Sequence, residues 1–550
     1  MVYDLLRDSS FGFLVNWASR GRIFSFPEER ADFVSPRVNA DEVHGTASAA
    51  TLPQNPEAQV CAEPEMEYKA HVGQDDGTLV TWYGDDDPDN PLNWSPKKRG
   101  FVTFLICFLN FSSYTGSAIY TAAIPSIMES FDVSLTYATL GLTLYVLGYG
   151  IGPMFLSPFQ EIARLGRNTV YLTTLFLFVL FQIPVFCAPN IQTLMAFRFL
   201  TGFLSSPALS TGGATMGDIF HPEHLGYFIG LWAIGGVAGP VTGPIVGGFA
   251  AQANGWKWPI YELTWLTSFT FLILFALLPE TYGPTILYRR AQRLRKLTGN
   301  QRLYAQVERD AESKSIVAAL NETLLRPFVL LTEPMLFFVD LYTGFIYSVF
   351  YLWFEAFPLV FNDIYHFNLG VSGLPYLGFI VSSFFTYAIF WANEKYFIKR
   401  RYAQAAASGK PPPPPEIRIW LGILSGISIP TSVLIFGFAS KPDIHWIVPV
   451  IGAALYLPGL LLSVMTLSMY ISLSYPKHLA SVLAGNTVFR GGMASVFPLF
   501  GRAFFVNLGL GPASAILAGI SFFLMCILWL LMKYGPRLRK RSKYATYESY

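Results

Sequence analysis

The chain is short of charge: Asp, Glu, Lys and Arg make up 13% of its 550 residues, against about a quarter in an ordinary soluble domain. That shortage argues against a solvated globular surface of the usual kind. Cysteine is scarce as well. The four cysteines, Cys61, Cys107, Cys187 and Cys526, are scattered and lie mostly in or beside apolar runs, so they suggest neither a disulfide framework nor a metal centre. Seven histidines fall in the N-terminal tail or near the ends of apolar runs without forming a ligand cluster. No GxxxxGK[ST] loop is present to cradle a nucleotide phosphate, and no HExxH pair to hold zinc. The sequence therefore implies no cofactor and no metal. A net charge of +2 gives a nucleic acid nothing to be drawn to.

What the chain has is apolar length. Hydrophobic residues make up 52% of it, and the mean hydropathy is +0.40. A bilayer core takes about 20 apolar residues per helix. Twelve runs of that order follow one another at 101–124, 136–158, 168–188, 191–217, 226–250, 258–279, 333–356, 369–391, 417–438, 446–472, 479–506 and 512–533. This reads as an all-α membrane protein with twelve transmembrane helices in two six-helix pseudo-symmetric bundles. Its expected parts are a largely disordered tail at 1–99, a first bundle at 100–280, a charged central loop at 281–332, a second bundle at 333–534 and a short tail at 535–550.

Charge position gives a sidedness. Lys97, Lys98 and Arg99, then Arg164 and Arg167, then Arg289, Arg290, Arg293, Arg295 and Lys296 all fall on one side of a twelve-span arrangement. So do Lys395, Lys399, Arg400 and Arg401, and Lys540, Arg541 and Lys543 in the tail, while the opposite loops have little beyond Lys257 and Lys441. The positive-inside rule puts both termini and the central loop in the cytosol. The basic stretch Arg289–Arg302 is expected to lie along the membrane surface.

Within the fifth run stands a glycine ladder, Gly230-x8-Gly239-x3-Gly243-Pro244-x2-Gly247-Gly248. Gly239, Gly243 and Gly247 recur at i, i+4 and i+8, forming one smooth helical stripe on which a second helix packs backbone to backbone. Pro240 and Pro244 remove donors and add kinks. In the fourth run Arg198 follows Leu194 and precedes Gly202 at intervals of four. A charge there costs roughly 2.5–3.5 kcal/mol to insert, so it either snorkels outward or faces a partner or wet cavity. The seventh run sets Glu333, Asp340, Tyr347 and Tyr351 along one stripe at intervals of seven, seven and four. Asp340 has two readings of equal weight, as a proton carrier or as an ion-pair partner of Arg490. Asn486 and Arg490, one turn apart in the eleventh run, join the pathway candidates, as does Tyr114 in the first. Most other rings, at 16% aromatic content, are packing.

Several of these patterns match a known family. Gly152-Pro153, Ser157-Pro158, Glu161, Arg164 and Gly166-Arg167 resemble the loop signature between the second and third helices of the major facilitator superfamily. Arg198 with its flanking residues and the ladder at Gly230–Gly248 resemble two further motifs, the latter the fifth-helix antiporter motif. The segment Trp82-Tyr-Gly-Asp-Asp-Asp-Pro-Asp-Asn-Pro-Leu-Asn-Trp94 resembles the pre-membrane signature of fungal twelve-spanner drug:proton antiporters. So do Asp4-Leu-Leu-Arg-Asp8, Leu278-Pro-Glu-Thr-Tyr282, Glu333-Pro334 with Asp340-Leu-Tyr342, and Tyr534-Gly-Pro-Arg-Leu-Arg539. Together they look most like the benomyl- and azole-resistance branch. The resemblance implies the major facilitator fold, a monomer in the plasma membrane, and export of small hydrophobic substrates against protons. It also implies a cytosolic gate at Gly152, Glu161, Arg164, Gly166 and Arg167. The first run has Tyr114 and Tyr120 where some antiporters place a carboxylate. A nutrient or polyamine permease is the alternative transporter, and a membrane receptor the alternative of another class.

Overall fold

The computed structural model describes residues 2–29, 79–312, 325–409, 413–475 and 479–545. The expected tail and loop segments at 30–78, 313–324 and 546–550 lie outside these described residues.

A chain with no water to bond must satisfy its backbone internally, and helix is the solution this sequence adopts. Twelve membrane helices follow in order. The first six are Pro96–Ala118, Leu135–Leu156, Gly166–Phe186, Ile191–Ser210, Pro222–Asn254 and Lys257–Leu277. The seventh and eighth are Pro334–Phe357 and Leu377–Asn393. The ninth and tenth are each broken once, as Ile419–Gly426 with Ser428–Ala439 and Ile447–Ala454 with Tyr456–Ser474. Leu479–Leu508 and Leu510–Arg541 complete the set. Ten candidate spans among the described residues are long and apolar enough to cross a membrane on length and composition. The fourth and eleventh helices fall outside that count; they carry membrane arginines, Arg198 in one and Arg490 in the other, the latter with Asn486 one turn before it.

Helix starts are marked by local chemistry. Ser134 accepts a hydrogen bond from the Tyr137 amide, and Asn190 from the Thr193 amide at 2.8 Å, each satisfying a donor that the first turn leaves free. Inside the spans, hydroxyls turn back onto their own helix: Thr115, Thr174, Thr267, Thr343 and Thr386 each donate to the carbonyl four residues earlier. A polar side chain thereby costs little in an apolar setting.

The first half packs its first helix on its fifth and its second on its fourth; the second half packs its seventh on its eleventh and its ninth on its twelfth. The halves meet along the second and eleventh helices and along the fifth and eighth.

Part of the N-terminal tail is folded. Val2–Asp8 and Ser10–Ala18 are helices, and Ser9 pairs with Pro279 just beyond the sixth helix. In the central loop, acids of the tail pair with part of the basic face of helix Gly283–Thr298. Arg290, wholly buried, meets Asp87 at 2.7 Å, Asp89 at 2.7 Å and Glu28 at 3.3 Å, and its guanidinium lies over the Tyr83 ring. Arg293 takes the other Glu28 oxygen at 3.1 Å. Burying one arginine among three carboxylates satisfies both sides of the charge, which a lipid headgroup layer would do less completely.

Candidate functional site

At the centre, where the halves face each other, four phenols converge. The Tyr149 hydroxyl, on the second helix, lies within hydrogen-bond distance of those of Tyr347, at 3.1 Å, and Tyr351, at 3.0 Å, on the seventh. Tyr347 reaches the Tyr114 hydroxyl of the first helix at 3.5 Å, and Tyr351 reaches Ser117 at 3.5 Å. Arg490 of the eleventh helix sets its guanidinium 4.8 Å from the centre of the Tyr347 ring. Three of the sequence-selected aromatics and one selected arginine are thus in one place. Tyr149 was missed, although Tyr145-x3-Tyr149 put two phenols on one face of the second run.

One and two turns before Arg490 and Tyr347, a second polar group sits inside the second half. Asp340, 2% exposed, accepts a hydrogen bond from the Asn486 amide at 2.6 Å, and the same nitrogen reaches Thr343 at 3.2 Å. Asn486, rather than Arg490, is the residue that touches the carboxyl. Glu355, near the other end of the helix, is buried beside Gly501.

Arg198 does not snorkel. Fully buried, it donates through Nε to the Gly141 carbonyl at 3.0 Å and through Nη1 to the Gly116 carbonyl at 2.9 Å. Its guanidinium lies between the rings of Tyr120 and Tyr145, at 4.6 and 4.4 Å from their centres. Carbonyl dipoles and two ring faces hold the charge without a carboxylate. The arginine also ties the first, second and fourth helices together.

The glycine ladder has two faces. A Cβ on Gly239, Gly243 or Gly247 would come within 2.6–2.8 Å of first-helix backbone, at Phe111 O, Ile119 N and Ile119 O in turn. Gly230 and Gly248 point to the other half, toward the Tyr387 ring and the Leu369 carbonyl. Pro244 sits opposite Gly373 of that half. The stripe is therefore both the seam of the first half and part of the surface on which the second half rests.

At the end of the third helix nearest the tail, the gate residues separate into two groups. Gly152 packs against Ser206, and Gly166, at φ +75°, abuts the Glu280 carboxylate and the Thr285 side chain. A positive φ with no room for Cβ leaves only glycine there. Arg167 pairs with Asp218 through two hydrogen bonds, and its amide donates to Glu280 at 3.1 Å. Glu161 and Arg164 are exposed and stand outside this pair. Asp218 was not foreseen; an isolated acid 51 residues along the chain gives no local signal. Glu280 stood within the Leu278–Tyr282 signature but was not counted with the gate.

Two six-helix bundles with a polar aromatic site between them define a secondary transporter of the membrane. The chain belongs to the Major Facilitator Superfamily, whose family model matches residues 106–498. It is 37% identical to the cycloheximide resistance protein of Candida maltosa over 553 residues, covering 98% of this chain and 99% of that one. It is 41% identical to the multidrug transporter FLR1 of Candida glabrata over 475 residues, covering 85% and 84%. The similarity is therefore to the fungal drug-efflux branch of the superfamily. Among solved structures, the xylose transporter XylE from E. coli, in a partially occluded inward-open conformation, matches with a TM-score of 0.54 at 13% identity. That match covers 78% of this chain and 99% of that one and bears on the fold alone.

Proposed function

We propose that the protein exports hydrophobic drugs, fungicides or toxic secondary metabolites in exchange for protons, the two bundles rocking about the tyrosine-lined centre. One observation carries this reading. Phenols from both halves and a guanidinium with a ring beneath it meet at the bundle interface, and flat apolar molecules are held by aromatic walls with few polar anchors. The cycloheximide resistance named for the relative from Candida maltosa and the multidrug transport named for the one from Candida glabrata agree with it.

Asp340 is the proposed proton carrier, held by Asn486 and close enough to the centre for its charge to be felt there. Arg167 with Asp218 and Glu280 forms the cytosolic latch, and Gly152 and Gly166 permit the close packing around it. The ladder from Gly230 to Gly248 keeps the first half sealed against a leak. The protein is taken as a monomer in the plasma membrane, with both termini and the 281–332 loop in the cytosol, as the positive-inside pattern supports.

The test is expression in a yeast stripped of its own exporters, scored for growth and for intracellular accumulation across a panel of fungicides and secondary metabolites. Resistance with lowered accumulation, abolished by a protonophore, is the expected outcome. Full delivery to the membrane with no change in accumulation of any compound would overturn the proposal.

A further inference from the structure

The second helix of the tail presents an apolar face that the rest of the described protein covers only at its Phe11 edge. On helix Ser10–Ala18, Phe11, Leu14 and Trp17 are exposed at 38%, 55% and 80%, with Ile23 following at 52%. At 100° per residue Phe11, Leu14 and Trp17 share one side of the helix, and Ile23 follows beyond its end. The opposite side is packed. Gly12 leaves no room for a Cβ beside the Leu6 and Arg7 carbonyls, Phe13 stacks on Phe26, and Asn16 bonds the Phe24 carbonyl at 3.0 Å. The helix is held by its inner face and offers its outer one.

The depth of this helix is set by three contacts. Ser10 accepts a hydrogen bond from Asn168, two residues into the third membrane helix. Phe11 meets Phe275 edge to face in the last turn of the sixth. Ser9 pairs with Pro279, just past that helix. Phe11 thus stands where the membrane helices enter the bilayer. On the sixth helix, one and two turns before Phe275, Leu272 and Phe269 are exposed at 62% and 55%. Arg20 and Arg22 close the segment as exposed cations. Aromatic and aliphatic residues on one face with arginines at the boundary are what an interfacial helix requires.

We propose that Ser10–Ala18 is an in-plane anchor, its Phe11–Leu14–Trp17 face sunk into the headgroup–acyl boundary of the bilayer and Arg20 and Arg22 on lipid phosphates. The anchor holds the tail level with the membrane. From there Glu28, Asp87 and Asp89 reach the basic face of Gly283–Thr298. The occupant is lipid, and the leaflet is the cytosolic one only on the sidedness proposed above.

The test uses the full-length chain with its four cysteines replaced, spin-labelled singly at Leu14→Cys or Trp17→Cys, in nanodiscs of phosphatidylcholine with and without phosphatidylserine. Both faces of a nanodisc are open, so the reading does not depend on sidedness, which a separate epitope-accessibility measurement in cells decides. Labels at both positions are expected to be severalfold less accessible to an aqueous nickel chelate, and more accessible to oxygen, than a label at exposed Asn300. Arg20→Gln with Arg22→Gln should remove any added protection from phosphatidylserine. Labels at Leu14 and Trp17 as open to nickel as the Asn300 label would overturn the proposal and leave the face to a protein partner.

Discussion

Gly491 and Gly492 are neighbours with opposite surroundings, and the difference tests whether the halves separate during transport. A Cβ on Gly491 would lie 2.7 Å from Gly150 Cα across the bundle interface, whereas a Cβ on Gly492 meets nothing within 4 Å. Carbon atoms rest at about 3.5–4.0 Å, so Gly491→Ala requires the second and eleventh helices to part by roughly 1 Å. Overpacking of this kind costs about 1–3 kcal/mol. Were the two helices fixed partners, that cost would appear as lost stability. If the bundles rock, it falls only on conformations in which Gly150 and Gly491 touch, and the balance moves away from them by about 5–150-fold.

The assay is the distance between spin labels at exposed Arg164 and Arg400, one on each half, in a background without native cysteines. Gly491→Ala should move population into a second distance and slow export, with little change in the unfolding temperature. Gly492→Ala should leave both unaltered. Identical distance distributions for the two variants, or a fall in unfolding temperature for Gly491→Ala with no redistribution, would refute the reasoning.

Asp340→Asn keeps the acceptor that Asn486 uses and removes the titrating proton, so export should lose its pH dependence while substrate exchange persists; normal pH dependence rejects the carrier role. Arg198→Lys keeps a charge but not the planar fork that reaches Gly141 and Gly116 while lying between two rings, and should lower both export and unfolding temperature, read on purified protein. For the tail, burial alone would raise the Asp87 carboxyl, but hydrogen bonds from Arg290 and from the Tyr83 and Asp89 amides outweigh it and hold the group below its ordinary value. Its contribution is therefore complete above the unfolded value of about 3.9 and is lost only as pH falls through the lower folded one. Limited proteolysis of the tail should accordingly be constant from pH 6 to 8, while Asp87→Asn, breaking a buried pair worth about 3–5 kcal/mol to disrupt, should expose the tail at every pH in that range.

Helices were legible in the sequence because a bilayer fixes their length, and twelve apolar runs of that length can do little else. The seventh-run stripe was legible for a related reason: residues at intervals of seven and four share a face whatever the neighbours are. Partners were not legible. Nothing local connects Arg167 with Asp218, or Asp340 with Asn486, since those pairs are made by packing between helices distant in sequence. The basic run from Arg289 shows the same limit more sharply: two acids that pair with Arg290 lie some 200 residues earlier, and only the fold brings them there.

A division of labour between bonds follows from these positions. Among the described residues, the costly contacts of the membrane helices lie within one half: Arg198 with carbonyls of the first and second helices, Arg167 with Asp218, Arg418 with Glu394, and Arg539 with Glu416, while Arg290 with Asp87 ties the central loop to the tail. Between the halves the contacts are of another kind: glycine against backbone at Gly150–Gly491, Gly248–Leu369 and Gly373–Pro244, phenol against phenol at the centre, and neutral hydrogen bonds from Tyr387 to the Tyr227 carbonyl and from the Gly370 amide to Gln252. A neutral hydrogen bond is worth about 0.5–1.5 kcal/mol net, and close-packed glycines add only dispersion, whereas a buried ion pair costs about 3–5 kcal/mol to break. A machine that opens one interface in every cycle needs the cheap bonds at that interface and the expensive ones inside the moving parts, and this chain distributes them that way.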